Sequence, residues 1–399
     1  MTDIQKRILI LAALAHLSLE LVNNFMPIVY PLLIPVLGLT YGQVGIIAFV
    51  AVAGTSIVQP IFGLLTDRIG PVWLATLSIT WTGVMMGLVG FAPSFLVLVL
   101  LVGLASIGSA AFHPPGAIVA SVSGGGSRKG AAVSIFSVGG NLGAALSPLF
   151  VGLGLAAFGL SGTAILIPVS IVLGVYLLGQ LRHYYVSENV KPATSSDLTS
   201  SAKAGFQGSV IGLILIVIVV MTRSWFHVGV VTYLPLWLES GGWSIGSAGT
   251  LLFLLTLSIS IGSLSGGVLS DRFGRWQVAA LSLVLMITTY GTFLVATGWA
   301  QITLICLIGI AIGASFPITI VMAYEAWPQR VGLAASLVMG IGWFPGGIGA
   351  SVTGQLADRF TLGIAMQSLI VAPVLGLIIL MLFAIYQRRT SLDIVPDHV

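Results

Sequence analysis

Two full charges fall midway along apolar stretches of this chain, Glu20 within 8–30 and Arg223 within 208–238. A charge at the centre of a bilayer costs roughly 2.5–3.5 kcal/mol on the lenient insertion scale, so one that persists there marks a route for protons, ions or substrate by default. Facing a shared wet cavity is the simplest way for both to be tolerated. His16, Asn23 and Asn24 stand at i−4, i+3 and i+4 from Glu20, and His227 at i+4 from Arg223. Those spacings place side chains on one helical face. The chemistry open to such a set is proton transfer. Desolvation favours a neutral carboxyl and a nearby cation an ionised one. Moving Arg223 or a charged substrate relative to Glu20 would therefore couple a proton to a cargo. The competing reading is a static Glu20–Arg223 pair that only holds two halves together. His16 and His227 read as substrate ligands or as satisfied polar side chains.

A third histidine stands in "AFHPPGAIVAS" (111–121), near the end of an apolar stretch. Pro114 and Pro115 remove two backbone donors and should bend the helix, and freed carbonyls inside a bilayer need a partner or a water-lined cavity. His113 is then either a proton or substrate ligand in a bent gate segment, or a structural histidine that bonds those carbonyls or a neighbouring helix. Trp225 and Trp343 lie mid-helix and could line a site for an amphipathic or ring-bearing substrate, with ordinary packing as the alternative. Asn141, flanked by glycines in "VGGNLG" (138–143), is a candidate cavity residue. The glycines of "GGNLG" and "PGGIG" (345–349) read as close helix packing.

These residues need a membrane scaffold. Of 399 residues, 57% are hydrophobic and 7% charged, against about 25% charged in soluble domains. Mean hydropathy is +1.11. The basic pI near 9.3 does not imply nucleic-acid binding, because the cations are scattered and not clustered. Twelve apolar stretches are each long enough to cross a bilayer as a helix: 8–30, 43–65, 72–91, 95–120, 130–157, 162–181, 208–238, 245–269, 276–297, 300–324, 331–356 and 363–386. With the N-terminus inside, the cytoplasmic segments hold Lys6, Arg7, Arg68, Arg128, Lys129, Arg182, Lys191, Lys203, Arg272, Arg275, Arg330, Arg388 and Arg389, and the outside loops only Arg359. That bias follows the positive-inside rule and places both termini in the cytoplasm.

The segment 182–207 is polar and lacks hydrophobic periodicity. It reads as a cytoplasmic linker between an N-terminal bundle (1–181) and a C-terminal bundle (208–399). The halves repeat: at an offset of 204 residues, "GLLTDRIG" (63–70) falls on "GVLSDRFG" (267–274) and "PLLIPVLGLTYGQVG" (31–45) on "PLWLESGGWSIGSAG" (235–249). Paired repeats around a midplane site are a transporter architecture. Gly63 and Gly267 are expected to let helices approach. Asp67 and Asp271 are expected to cap the next helix, where the dipole favours a carboxylate. Arg68 and Arg272 are expected to pair between halves as a conformational latch, with a polar turn as the bland alternative.

The doubled G-x-L-x-D-R-x-G pattern resembles the loop signature of the major facilitator superfamily. "AFHPPGAIVAS", "GAAVSIFSVGGNLGAALSPL" (130–149), "YEAWPQRVGLAASLVMGIGWFPGGIGASVTGQLADRF" (324–360) and "AHLSLELVNNFMPIVYPLL" (15–33) are similar to its fosmidomycin-resistance group of drug exporters. The likeness covers nearly the whole chain. It departs from the superfamily pattern twice: no cation lies between Arg68 and Arg128, and the first signature loop continues "PVW" (71–73) where the second continues "RWQ" (275–277). The first latch should therefore be the weaker.

The resemblance implies an all-α membrane protein of the major facilitator fold, with twelve transmembrane helices in two pseudo-symmetric six-helix bundles. It implies proton-coupled export of a small or amphipathic drug-like compound from a bacterial inner membrane. The alternatives are a lipid or glycolipid translocator, a proton symporter, or a sensor without flux. Partners are then a small-molecule or lipid-like substrate, protons and membrane lipids, with a monomer expected. No Walker loop, H-E-x-x-H pair or nucleophile elbow occurs, and Cys306 is the single cysteine. An enzyme, a cofactor and a metal are not expected.

Overall fold

The computed structural model describes residues 1–124, 129–187, 209–327, 334 and 337–392. Among them the structure is helical, with no strand. The α-helices in chain order are α1 (Asp3–Asn23), α2 (Met26–Leu37), α3 (Tyr41–Ile69), α4 (Pro71–Gly87), α5 (Phe95–Gly124), α6 (Lys129–Phe158), α7 (Leu166–Ser187), α8 (Val210–Ser240), α9 (Ile245–Phe273), α10 (Arg275–Phe293), α11 (Trp299–Ala326), α12 (Phe344–Arg359), α13 (Leu362–Ser368) and α14 (Val371–Leu392). Helices satisfy every backbone group internally, which is what a chain this apolar needs in lipid. Local signals set their ends. Thr2 with Gln5 and Thr40 with Gln43 form capping boxes at α1 and α3, and Gly38 closes α2 in the left-handed conformation.

Among the described residues, ten segments are long and apolar enough to cross a membrane. One of them, Ala132–Tyr184, takes in most of both α6 and α7, separated by a 3₁₀ turn at Gly159–Ile165. The expected span 331–356 lies partly outside the described residues. Its described part is a π-helical turn (Leu337–Ile341) followed by α12, so the count of twelve is not fully reached. The expected helix at 8–30 is broken: Asn24 ends α1 and Pro27 opens α2. Proline has no N–H to continue the ladder of α1, but its fixed φ suits a first turn. The expected linker lies outside the described residues from 188 to 207; its first six residues finish α7. Pro114 and Pro115 lie inside one uninterrupted α5.

By compactness the chain divides into Met1–Leu198 with Val231–Leu257, and Thr199–Val230 with Ser258–Val399. In the first unit α1 packs on α4, α5, α6 and α7. Its core includes Leu11, Leu19, Ile79, Phe112, Phe136 and Leu177. Gly139 and Gly143 bring α6 onto α1: a Cβ at either would stand 2.2 Å from the carbonyl of Ala13 or Leu17. In the second unit Gly313 of α11 does the same against α9, where a Cβ would meet the Ile259 carbonyl at 1.9 Å. Outer faces are apolar, with Leu64, Leu153 and Val268 each more than 70% exposed. A soluble monomer does not carry so much apolar surface, and the protein is an integral membrane protein.

The repeat is visible in backbone detail. Gly70 has φ 92 and ψ 139, and Gly274, its counterpart, has φ 94 and ψ 144. A side chain is strained there, which explains the final glycine of both signature loops. These two glycines also occupy the N-cap positions of α4 and α10, without a side-chain cap bond. The expected capping by Asp271 is therefore corrected: the preceding helix runs on past the aspartate, and the turn is a glycine conformation; the side chain of Asp67 lies outside the described residues. Gly63 and Gly267 are corrected as well, because a Cβ at either meets nothing within 4 Å.

Candidate functional site

The first unit gathers one carboxylate and two imidazoles. Glu20 lies near the end of α1, with His16 one turn before it. His113 comes from α5. His16 Nε2 is 3.5 Å and His113 Nε2 3.3 Å from the same oxygen, Glu20 Oε1. Asn24 Nδ2 donates to the other oxygen, Oε2, at 2.5 Å, and to the Glu20 carbonyl at 3.1 Å. The break after α1 thus supplies a donor to the carboxylate. Neither histidine is free to turn. Nδ1 of His16 is 2.9 Å from the Phe136 carbonyl and Nδ1 of His113 is 2.7 Å from the Ser109 carbonyl. A carbonyl only accepts, so each Nδ1 carries a hydrogen. Packing fixes the rings: His16 stacks on Phe136 at 4.2 Å and meets His113 edge-on at 5.4 Å. Gly140 makes the room, since a Cβ there would lie 2.3–2.6 Å from the His16 ring.

A proton count follows. With both Nδ1 atoms protonated, two neutral imidazoles and an ionised Glu20 would aim lone pairs from both Nε2 atoms at Oε1. One added proton gives a neutral cluster or one imidazolium–carboxylate contact. A second gives two imidazoliums on one carboxylate. The cluster therefore has a built place for one or two exchangeable protons. His113 is its most exposed member, at 30% against 12% for His16 and 14% for Glu20. The ligand atoms of the three also lie within 4.8 Å of one another, close enough to meet at one metal ion.

The second unit treats its charge differently. Arg223, 1% exposed and midway along α8, makes one long hydrogen bond, from Nη1 to the Ile312 carbonyl at 3.4 Å. Its guanidinium lies 5.0 Å from the ring of Phe316 and 5.1 Å from that of Trp343. No described acid of this unit pairs with it; Glu325 pairs with Arg275. Trp343 stands at the N-cap of α12, just after the π turn. Ser224 Oγ, next to Arg223, donates to the Gly342 carbonyl at 2.9 Å and holds that turn on α8. Trp225 packs on Gly349, where a Cβ would be 2.0 Å from the indole, and its Nε1 reaches Thr353 Oγ1 at 3.5 Å. His227 contacts Trp343 edge-on at 5.4 Å.

The structure thus brings together Glu20, His16, His113 and Asn24 in one unit, and Arg223, Trp343 and His227 in the other. Asn23 and Asn141 are half-buried on α1 and α6. Of the latch residues, Arg68 and Asp271 are exposed near helix ends, the side chain of Asp67 lies outside what is described, and Arg272 lies 5.3 Å over its neighbour Phe273. Sequence reasoning missed the ion pair of Arg275 with Glu325, which joins the start of α10 to the end of α11. It also missed the rings of Phe112 and Phe136 and the seat that Gly140 makes for the His16 ring. Only the "RWQ" departure in the second loop hinted at the first of these.

The family model of the Major Facilitator Superfamily matches residues 8–339. The chain is 28% identical over 376 residues to the fosmidomycin resistance protein of Escherichia coli (strain K12), covering 93% of this chain and 91% of that one. It is 32% identical over 381 residues to the uncharacterized MFS-type transporter YfnC of Bacillus subtilis (strain 168), covering 94% and 92%. Among solved structures, a bacterial homologue of the human lysosomal transporter Spinster superposes with a TM-score of 0.76 at 17% identity, over 96% of this chain and 97% of that one. The nucleoside transporter NupG gives 0.76 at 12%, over 96% and 100%. At those identities the likeness speaks for the fold.

Proposed function

The chain belongs to the major facilitator superfamily and is a membrane transporter, not an enzyme, and from that premise we propose that it exports a small drug-like compound in exchange for protons. The observation that carries this reading is the pair of tautomer-locked histidines aimed at one carboxylate oxygen. A carboxylate held in this way passes between loaded and unloaded states without rearranging its neighbours. The titratable groups facing Glu20 are His16 from its own helix and His113 from α5; α6 offers the Phe136 carbonyl and the glycine face. His113, the most exposed, is the entry and exit point for the proton. Loading of the cluster accompanies loss of the cargo, and unloading accompanies its capture, so the proton gradient drives the cargo outward by alternating access.

Export in place of uptake is supported by the 28% identity to a protein named for fosmidomycin resistance. The charge bias of the loops supports cytoplasmic termini in a bacterial inner membrane. The test is proton movement in sealed proteoliposomes, read by a pH-sensitive dye while fosmidomycin or an unrelated amphipathic drug is added. Cargo-evoked flux is expected from the wild type and not from Glu20→Gln. Equal flux from that variant would remove Glu20 from the mechanism.

A further inference from the structure

Arg223 has more hydrogen-bonding capacity than its surroundings use. Among the described residues its Nε and Nη2 are buried without a partner, while Nη1 alone is occupied. Those two atoms are not an arbitrary pair. Nε–H and the nearer N–H of Nη2 point the same way and form the side-on fork of a guanidinium, the edge that grips two oxygens of one anion. The same group lies over the rings of Phe316 and Trp343, at 5.0 and 5.1 Å from their centroids. Neither ring is a hydrogen-bond partner of the fork. One turn along α8, His227 Nδ1 is also buried without a partner. Among the described residues no ion pair reaches Arg223, and Glu325 pairs with Arg275. A buried cation with two idle donors in a cage of rings is a built receptor with its counter-ion left to the cargo.

We propose that Arg223 is the oxyanion receptor of this transporter, and that its cargo carries a terminal phosphonate, phosphate or carboxylate with a small apolar body against Phe316 and Trp343. The proposal rests on the transport reading and names the cargo class. A lipid headgroup and a small soluble acid share this chemistry, so the test carries an arm for each.

The experiment is equilibrium binding to the purified full chain in neutral detergent, by calorimetry, with no proton gradient. The probes are methylphosphonate, its neutral dimethyl ester, and phosphatidylglycerol as competitor. Methylphosphonate is expected to bind saturably and the ester at least about tenfold more weakly, the discrimination of a site built around one charge-assisted fork. Arg223→Gln should lose that preference. Arg223→Lys, which keeps the charge without the fork, should fall between the two. Competition by phosphatidylglycerol would assign the site to a headgroup, and its absence to a soluble acid; both keep the oxyanion site. Ester and acid binding alike to the wild type would overturn it, a comparison that needs no variant to fold. So would undiminished acid preference in Arg223→Gln. Acid binding without proton flux in the proteoliposome assay would sink the coupling reading and leave the receptor standing. Flux evoked equally by the neutral ester would do the reverse.

Discussion

Glu20 in the first unit is surrounded by three polar side chains, whereas Arg223 in the second has one long hydrogen bond and two aromatic rings. Both lie beside interrupted architecture. The carboxylate stands just before the break between α1 and α2, and the guanidinium beside the π turn that precedes α12. Broken helices free backbone groups, and membrane transporters use such breaks at their binding sites. The difference lies in what is satisfied. In the acidic cluster the carboxylate oxygens both have side-chain partners. In the basic cluster Arg223 Nε and Nη2 have no partner among the described residues. On the proposed reading the two halves divide the labour, one holding the proton and the other the anion.

That division can be attacked residue by residue. The largest effect is expected from Glu20→Gln, which should lower cargo-evoked proton flux by about 100-fold, as loss of an essential proton carrier does. Arg223→Gln comes next. It should weaken acid binding at least about tenfold, the worth of roughly one charge-assisted contact, and a weaker dependence would blur the comparison. Gly140→Ala should cost about tenfold in flux while the protein stays folded, because the added carbon pushes the His16 ring away from Oε1 and one hydrogen bond is worth about 1 kcal/mol or slightly more. Monodisperse elution with normal flux in that variant would mean His16 is dispensable. Gly70→Ala and Gly274→Ala should each lower stability by about 1–3 kcal/mol, the strain of a side chain at that backbone conformation, read as a fall in thermal midpoint. Gly63→Ala and Gly267→Ala should stay within about 0.5 kcal/mol, as open surface positions do, and a large loss at either would show packing that their open surroundings do not.

Much of this was legible in the chain. Apolar runs announce helices because lipid leaves the backbone no other partner, and the offset of 204 residues exposed the repeat. His16 and Glu20 could be joined on paper, since four residues is one helical turn. His113 could be named but not connected: 93 residues separate it from Glu20, and only the packing of α5 on α1 brings them together. Arg275 and Glu325 were illegible for the same reason. The break in α1 had a signal, Asn23-Asn24 followed by Pro27, but a continuous apolar run outweighed it. The role given to Gly63 failed because a glycine marks a place where the backbone needs freedom or where a neighbour comes close. Sequence alone does not say which, and at Gly70 it was the backbone.

The central claim of the proposed reading is that cargo and proton alternate in the transport cycle, so that capture of the anion accompanies loss of a proton from Glu20. Its most direct test is the number of protons released when fosmidomycin binds to the purified protein, measured by calorimetry in buffers of different ionisation enthalpy. The account predicts release of about one proton per bound anion in the wild type, as expected for one shared carboxylate site, and none in Glu20→Gln. Binding without proton release in the wild type, or equal release from Glu20→Gln, would contradict it.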